Sequence, residues 1–180
     1  MNGGMTMDIA EFESFLESHE KDIYTFCSYL TMDKTLAEDL YQDTILKAFE
    51  VIDKIDKHQN PKSFFFSIAA GHFKNFNRKT KRRQEIVPTV SLDDIVIEPK
   101  TGDNTALLAE KNMLNELVAK IIEKLDDKFR IPIILCYFDD LSEESISNIL
   151  SIPRGTVKSR LYKARALIKQ ELERMGFSYE

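Results

Sequence analysis

Ser142-Glu143-Glu144-Ser145-Ile146-Ser147-Asn148-Ile149-Leu150-Ser151-Ile152-Pro153-Arg154-Gly155-Thr156-Val157-Lys158-Ser159-Arg160-Leu161 is the stretch that decides the fold. Ser142 is suited to cap a helix, and Glu143 and Glu144 suit the positive end of its dipole. The helical pattern breaks at Ser151-Ile152-Pro153 and resumes at Arg154. In the second helix Val157, Leu161, Ala164 and Ile168 fall on one side, and that stripe is expected to pack on Ile146, Ile149 and Leu150. Gly155, Thr156, Ser159, Tyr162 and Lys163 fall on the other side, flanked by Arg154, Lys158 and Arg160. Two short helices with a small, polar and basic outer face read as a helix-turn-helix. The start of its second helix fits a major groove, where helix N-terminal residues meet base edges. Gly176 is the expected stop of that helix.

Working backwards, Leu107, Leu108, Met113, Leu114, Leu117, Val118, Ile121, Ile122 and Leu125 recur at helical spacing. Phe129, Ile133, Ile134, Tyr137 and Phe138 suggest a short helix that tolerates Pro132 only in its first turn. The segment 85–104 holds Pro88, Pro99 and Gly102 and no sustained period, so it reads as a linker between domains. Its apolar residues, Val87 to Ile97, fit a short strand or a segment lying on a surface. Before it, Ile9 to Leu30 and Leu36 to Ile52 form two helical faces, the second comprising Leu36, Ala37, Leu40, Thr44, Ile45, Ala48, Phe49 and Ile52. Asp33 is placed to cap the second helix. Asn60-Pro61 opens a third helix, which carries Phe64, Phe65, Phe66, Phe73 and Phe76 and runs to Arg83. The expected fold is all-α: a helical domain over 1–84, a linker over 85–104, and a helix-turn-helix domain over 105–180.

The chain has 180 residues and a formal net charge of −5, but the charge is segregated. Residues 61–84 carry seven basic and no acidic side chains, and residues 154–180 carry seven basic against three acidic. Residues 1–60 carry five basic against thirteen acidic. Two positive segments in a negative chain supply local potential for phosphates, while the acidic remainder repels a polyanion. Weak DNA binding by the isolated chain is therefore expected. The interleaved aromatics and cations of the third helix suit unstacked bases beside a phosphate backbone, although most of those Phe residues are expected in the core. The two cysteines, Cys27 and Cys136, are expected as buried thiols in a reducing, cytoplasmic setting. No phosphate-binding loop, metal-ligand spacing or nucleophile motif is present in the sequence. No catalytic residue, metal, cofactor or small-molecule substrate is expected. Glu38, Asp39 and Asp43 read as a solvated or protein-binding face.

Ala37-Glu38-Asp39-Leu40-Tyr41-Gln42-Asp43-Thr44-Ile45-Leu46-Lys47-Ala48-Phe49 resembles the core-polymerase-binding helix of bacterial sigma factors of the extracytoplasmic-function class. Ile152 to Arg165 resembles the promoter-recognition helix of that class. The segment Phe64 to Arg83 resembles its helix that melts and reads the element upstream of the start site. The three occur in the class's order. The resemblance implies a non-catalytic protein that directs core RNA polymerase to promoter DNA, and an anti-sigma factor as a further partner. It implies that Glu38, Asp39, Leu40, Gln42, Asp43 and Lys47 dock on polymerase. Asp56, Lys57, His58, Gln59, Asn60 and Lys62 would capture a flipped base of the −10 element. Phe64, Lys74, Asn75, Arg78, Lys79, Arg82 and Arg83 would hold the rest of that element. Arg154, Gly155, Thr156, Lys158, Ser159, Arg160 and Lys163 would contact the −35 element. Four positions depart from the class pattern: Ala70-Gly71 stand for its Arg-Asn pair, Asn75 for an Asp, and Phe64 for a Trp. These departures imply an atypical −10 preference. The competing reading is a dimeric helix-turn-helix regulator that binds a palindrome without polymerase.

Overall fold

The computed structural model describes residues 6–56, 60–86, 106–138 and 140–177, without side chains for 81, 83–86 and 106–114. The expected linker and the loop residues Lys57, His58 and Gln59 therefore lie wholly or largely outside the described residues. Seven helices are present among them: α1 (Ile9–Thr31), α2 (Lys34–Glu50), α3 (Pro61–Ile86), α4 (Ala106–Glu123), α5 (Asp127–Phe138), α6 (Glu143–Leu150) and α7 (Arg154–Arg174). No strand occurs among the described residues; one isolated bridge joins Thr6 to Asp56.

The helix ends follow from local chemistry. Asp8 and Glu11 form a reciprocal capping box at the start of α1, with Glu11 N–H donating to Asp8 Oδ1 at 2.8 Å and Asp8 N–H to Glu11 Oε2 at 3.0 Å. Leu36 N–H donates to Asp33 Oδ1 at 2.7 Å, so Asp33 caps α2. Ser63 N–H donates to the Asn60 carbonyl at 3.0 Å, and Pro61 occupies the first turn of α3, where its missing N–H costs nothing. Ser142 caps α6 through Ser145 N–H at 3.1 Å. Gly176, at φ 90°, follows the end of α7.

Helix α5 departs from the sequence reading. It starts at Asp127, so Pro132 lies in its second turn rather than its first. Pro132 has no N–H to offer the Lys128 carbonyl, yet it is buried, and tertiary packing holds the helix despite that loss. Cys136 is likewise only partly buried, unlike Cys27.

Two apolar clusters organise the described residues. The smaller gathers Met7, Phe12, Ile23, Ala48, Ile55 and Phe65 between the ends of α1, α2 and α3. The larger is continuous across both halves of the chain: Phe26, Leu30, Phe66, Ala70 and Phe73 from α1 and α3 meet Ile131, Ile134, Leu135, Ile146, Val157 and Leu161 from α5, α6 and α7. The α7 stripe packs on α6 as expected. The sequence reading did not anticipate that the N-terminal bundle and the helix-turn-helix bury their apolar faces against each other.

Candidate polymerase and nucleic-acid interfaces

The outward side of α2 carries Glu38, Asp39, Gln42, Asp43 and Lys47, all exposed. Lys47 Nζ pairs with Glu50 Oε2 at 2.8 Å, and Asp43 Oδ2 stands 4.0 Å from His72 Nδ1. Leu40 faces inward: it is 7% exposed and belongs to the larger cluster, because its 3–4 spacing with Ala37, Thr44 and Ala48 places it there. Thr44 joins that inward row, its hydroxyl donating to the Leu40 carbonyl at 2.6 Å. The sequence reading missed two apolar residues on the outward side. Leu46 is 63% exposed, and Phe49, expected on the buried face, is 49% exposed. Helical geometry sets Leu46 between Asp39, Gln42, Asp43, Phe49 and Glu50. The signal was readable for Leu46, which falls outside the inward row, and not for Phe49, which sits at its border.

The basic half of α3 is ordered as a stripe. Asn75, Arg78, Lys79 and Arg82 are exposed and recur at three and four residues, so they share one side. Arg78 Nη2 donates to Asn75 Oδ1 at 3.4 Å. The Arg83 side chain lies outside the described residues. Lys74 sits at the edge of the stripe and is half-buried. Burial pushes its ammonium below the usual lysine value, Arg160 adds to that shift, and Asp127 opposes it. Phe65, Phe66 and Phe73 are core, as the majority were expected to be, whereas Phe76 is 45% exposed.

Two further candidates for the −10 element make contacts within the fold. Lys62 is engaged within the fold: its Nζ reaches Asp22 Oδ2 at 3.3 Å and lies 5.8 Å from the Phe66 ring centre. Phe64 is partly buried against the smaller cluster. Asp56 is held in the bridge with Thr6, and Asn60 is exposed at the start of α3. Beside it lies an open groove of about 720 Å³, bordered by Phe15, Ser18 and His19 of α1 and by Asn60, Pro61 and Lys62. The Phe15 and His19 rings stack in it, 4.2 Å apart. Gly71 is tolerated in α3 without a packing reason: a Cβ there would meet nothing within 4 Å.

On α7, Arg154, Gly155, Lys158, Ser159 and Lys163 are exposed, with Thr156 and Arg160 partly so. Arg154 Nε meets Glu143 Oε2 at 3.3 Å, which ties the start of α7 to α6. Ser159 Oγ donates to the Thr156 carbonyl at 3.0 Å. A Cβ on Gly155 would also meet nothing within 4 Å, so the fold itself does not demand glycine there. Tyr162, 75% exposed, stands on the same outer side. The arrangement brings together an acidic and apolar α2 face, a cationic α3 stripe and a cationic α7 start.

Family comparison matches residues 15–83 to Sigma-70 region 2 and residues 115–168 to Sigma-70, region 4, together about two thirds of the chain. The chain is an extracytoplasmic-function sigma factor. It is 28% identical over 157 residues to the ECF RNA polymerase sigma factor SigM of Bacillus subtilis, covering 87% of this chain and 92% of that one. It is 29% identical over 168 residues to SigW of the same organism, covering 89% and 88%. Its fold matches that of the sigma factor RpoE from Bartonella quintana, solved with the anti-sigma factor NepR, at a TM-score of 0.75 and 26% identity, covering 92% of this chain and 98% of that one. CnrH, solved with the cytosolic domain of CnrY, shares the fold at a TM-score of 0.64 and 19% identity, covering 92% and 90%. This sigma factor directs core RNA polymerase to specific promoters, and the dimeric-regulator reading is not favoured. It belongs to a class of non-catalytic initiation factors. No helix among the described residues is long and apolar enough to cross a membrane.

Proposed function

We propose that initiation is divided among the three surfaces as the sequence order suggests. Residues 1–84 bind core polymerase and the −10 element, residues 85–104 link, and residues 105–180 bind the −35 element. The carrying observation is the spatial segregation of charge: α2 presents carboxylates around Leu46, while α3 and α7 present cations. Glu38, Asp39, Gln42, Asp43 and Lys47 form the polar rim of the polymerase contact, with Leu46 and Phe49 as its apolar anchors, the usual anatomy of a protein interface. Leu40 acts behind them as packing. Lys74, Asn75, Arg78, Lys79, Arg82 and Arg83 hold the −10 duplex and backbone. Asp56 to Asn60 receive an extruded base; unpairing costs a few kcal/mol, which polymerase-held contacts offset. Lys62 and Phe64 position that loop instead of touching DNA.

Arg154, Gly155, Thr156, Lys158, Ser159, Arg160 and Lys163 read the −35 element. At Gly155 the missing side chain lets the backbone approach a phosphate. The protein works in the cytoplasm, contributes no catalytic residue, and is held by an anti-sigma factor, a partner class supported by the RpoE–NepR complex. The test pairs run-off transcription on a genomic promoter library with a polymerase-binding assay. Lys158→Glu with Arg160→Glu is expected to abolish promoter-specific initiation and leave polymerase binding intact. Loss of polymerase binding in that variant would defeat the division.

A further inference from the structure

The outer side of α3 changes character at Gly71. Asn75, Arg78 and Arg82 follow it at spacings of four, three and four residues, so all four share one side of the helix. Phe64, Ser67 and Ile68 precede it on that side, uncharged and partly buried. The Ser67 hydroxyl turns back to the Phe64 carbonyl at 2.7 Å, so it too keeps close to the helix. The opposite side of these turns is occupied: Phe73 is buried, and Asn77 Nδ2 donates to Asp127 Oδ1 of α5 at 2.9 Å. Gly71 therefore faces away from the rest of the fold, at the boundary between an uncharged half of α3 and its cationic half.

Glycine in a helix interior is unfavourable relative to alanine, because it loses the most chain entropy on folding. Two structural causes ordinarily offset that loss, and neither applies. Among the described glycines only Gly176 has a positive φ, so the backbone at Gly71 is open to any residue. A Cβ there would meet nothing within 4 Å, so no neighbour in the fold excludes a side chain. The third cause is close approach of something from outside, which a Cβ would block. The cations that start one turn further along fit a phosphate backbone, and they fix what approaches.

We propose that Gly71 is a steric notch for promoter DNA. The strand held by Arg78 and Arg82 continues across the bare turn, with one base lying against the helix backbone, on its way to the extruded position at Asp56 to Asn60. The notch rests on the −10 assignment of α3 above and adds a determinant that acts by size rather than charge. A side chain at position 71 displaces that base, while in the free chain it touches nothing. Stability and initiation are therefore expected to move in opposite directions.

The test uses the full chain with core polymerase on a promoter recovered from the genomic run-off library. Gly71→Ala should raise the melting temperature of the free protein by roughly 2–4 °C and yet lower promoter-specific initiation. Gly71→Leu should lower initiation by roughly 5- to 100-fold, the loss expected when extra methylenes enter a close contact. Both variants should keep wild-type affinity for core polymerase. Templates lacking a single base of the non-template strand, scanned through the −10 element, should restore Gly71→Leu at one position and give no such gain to the wild type. A lower melting temperature in Gly71→Ala would show that the fold itself requires glycine and would overturn the notch. Initiation within twofold of wild type in Gly71→Leu would overturn it as well, as would a loss that no missing base restores. Arg78→Glu with Arg82→Glu judges the underlying assignment separately: normal initiation in that variant would remove α3 from the −10 element, whereas its loss beside an unaffected Gly71→Leu would remove the notch alone.

Discussion

Leu46 gives the sharpest test of the polymerase face. It is 63% exposed on α2, with Phe49 one turn on and Asp39, Gln42, Asp43 and Glu50 around it. Full burial of a leucine is worth about 1.5–3 kcal/mol. Roughly two thirds of that remains to be gained on docking, or about 1–2 kcal/mol. At about 1.4 kcal/mol per tenfold, Leu46→Ala should weaken core-polymerase binding by roughly 5- to 30-fold. The same substitution removes little that is buried in the free chain, so its stability should change by less than about 0.5 kcal/mol. Alanine also keeps the helix propensity of α2. The assay is competition for fluorescently labelled wild-type protein on core polymerase, with a thermal melt of the free variant alongside. Affinity within twofold of wild type, with an unchanged melt, would refute the apolar-anchor argument. A large loss of melting temperature would instead show that Leu46 belongs to the core.

Other consequences are checked independently. Asp33→Ala removes the α2 cap and should cost about 1 kcal/mol, seen as a melting temperature lower by roughly 2–4 °C. Arg130→Met replaces a buried guanidinium that lacks two partners, so stability should stay within about 1 kcal/mol of wild type or rise, as for other buried ions replaced by apolar groups; a loss beyond about 3 kcal/mol in urea denaturation would contradict that. Burial pushes the Cys27 thiol up to about 12. Maleimide at pH 8 should therefore label Cys136 well before Cys27, and equal labelling rates would count against the burial. The sign for stability follows from the same shift: the unfolded thiol ionises first, so this contribution is intact below about pH 9 and is lost as pH rises toward 12.

Local signals transferred well. Asp33, Asn60-Pro61 and Ser142 start helices because a side chain or a fixed φ satisfies orphan N–H groups within four residues, and such chemistry is visible in the sequence. The inward row of α7 was equally legible from its period. The failures share a different cause. Pro132 sits in a second turn because burial among Ile131, Ile133 and Ile134 outweighs one lost hydrogen bond. Lys62 was assigned to DNA through the family resemblance, and only the fold shows that its ammonium meets Asp22, forty positions away. Phe49 and Phe76 look like core residues by composition, and only the packing of α1 against α2 and of α3 against α5 and α6 shows which side of each ring is left in solvent.

By itself the sequence determined the helices, their order, the segregation of acidic and basic surfaces and the family, because period, caps and charge are local properties of the chain. The tertiary structure decided which of those surfaces are free. Leu40, Lys62 and Phe64 were taken into the fold, Leu46 and Phe49 were left out of it, and Lys74 was brought beside Arg160. Each of these outcomes depends on residues far apart in sequence meeting in one apolar cluster. The seam joining Phe26 and Phe66 to Phe138 is such a meeting, and no periodicity within a single helix encodes it.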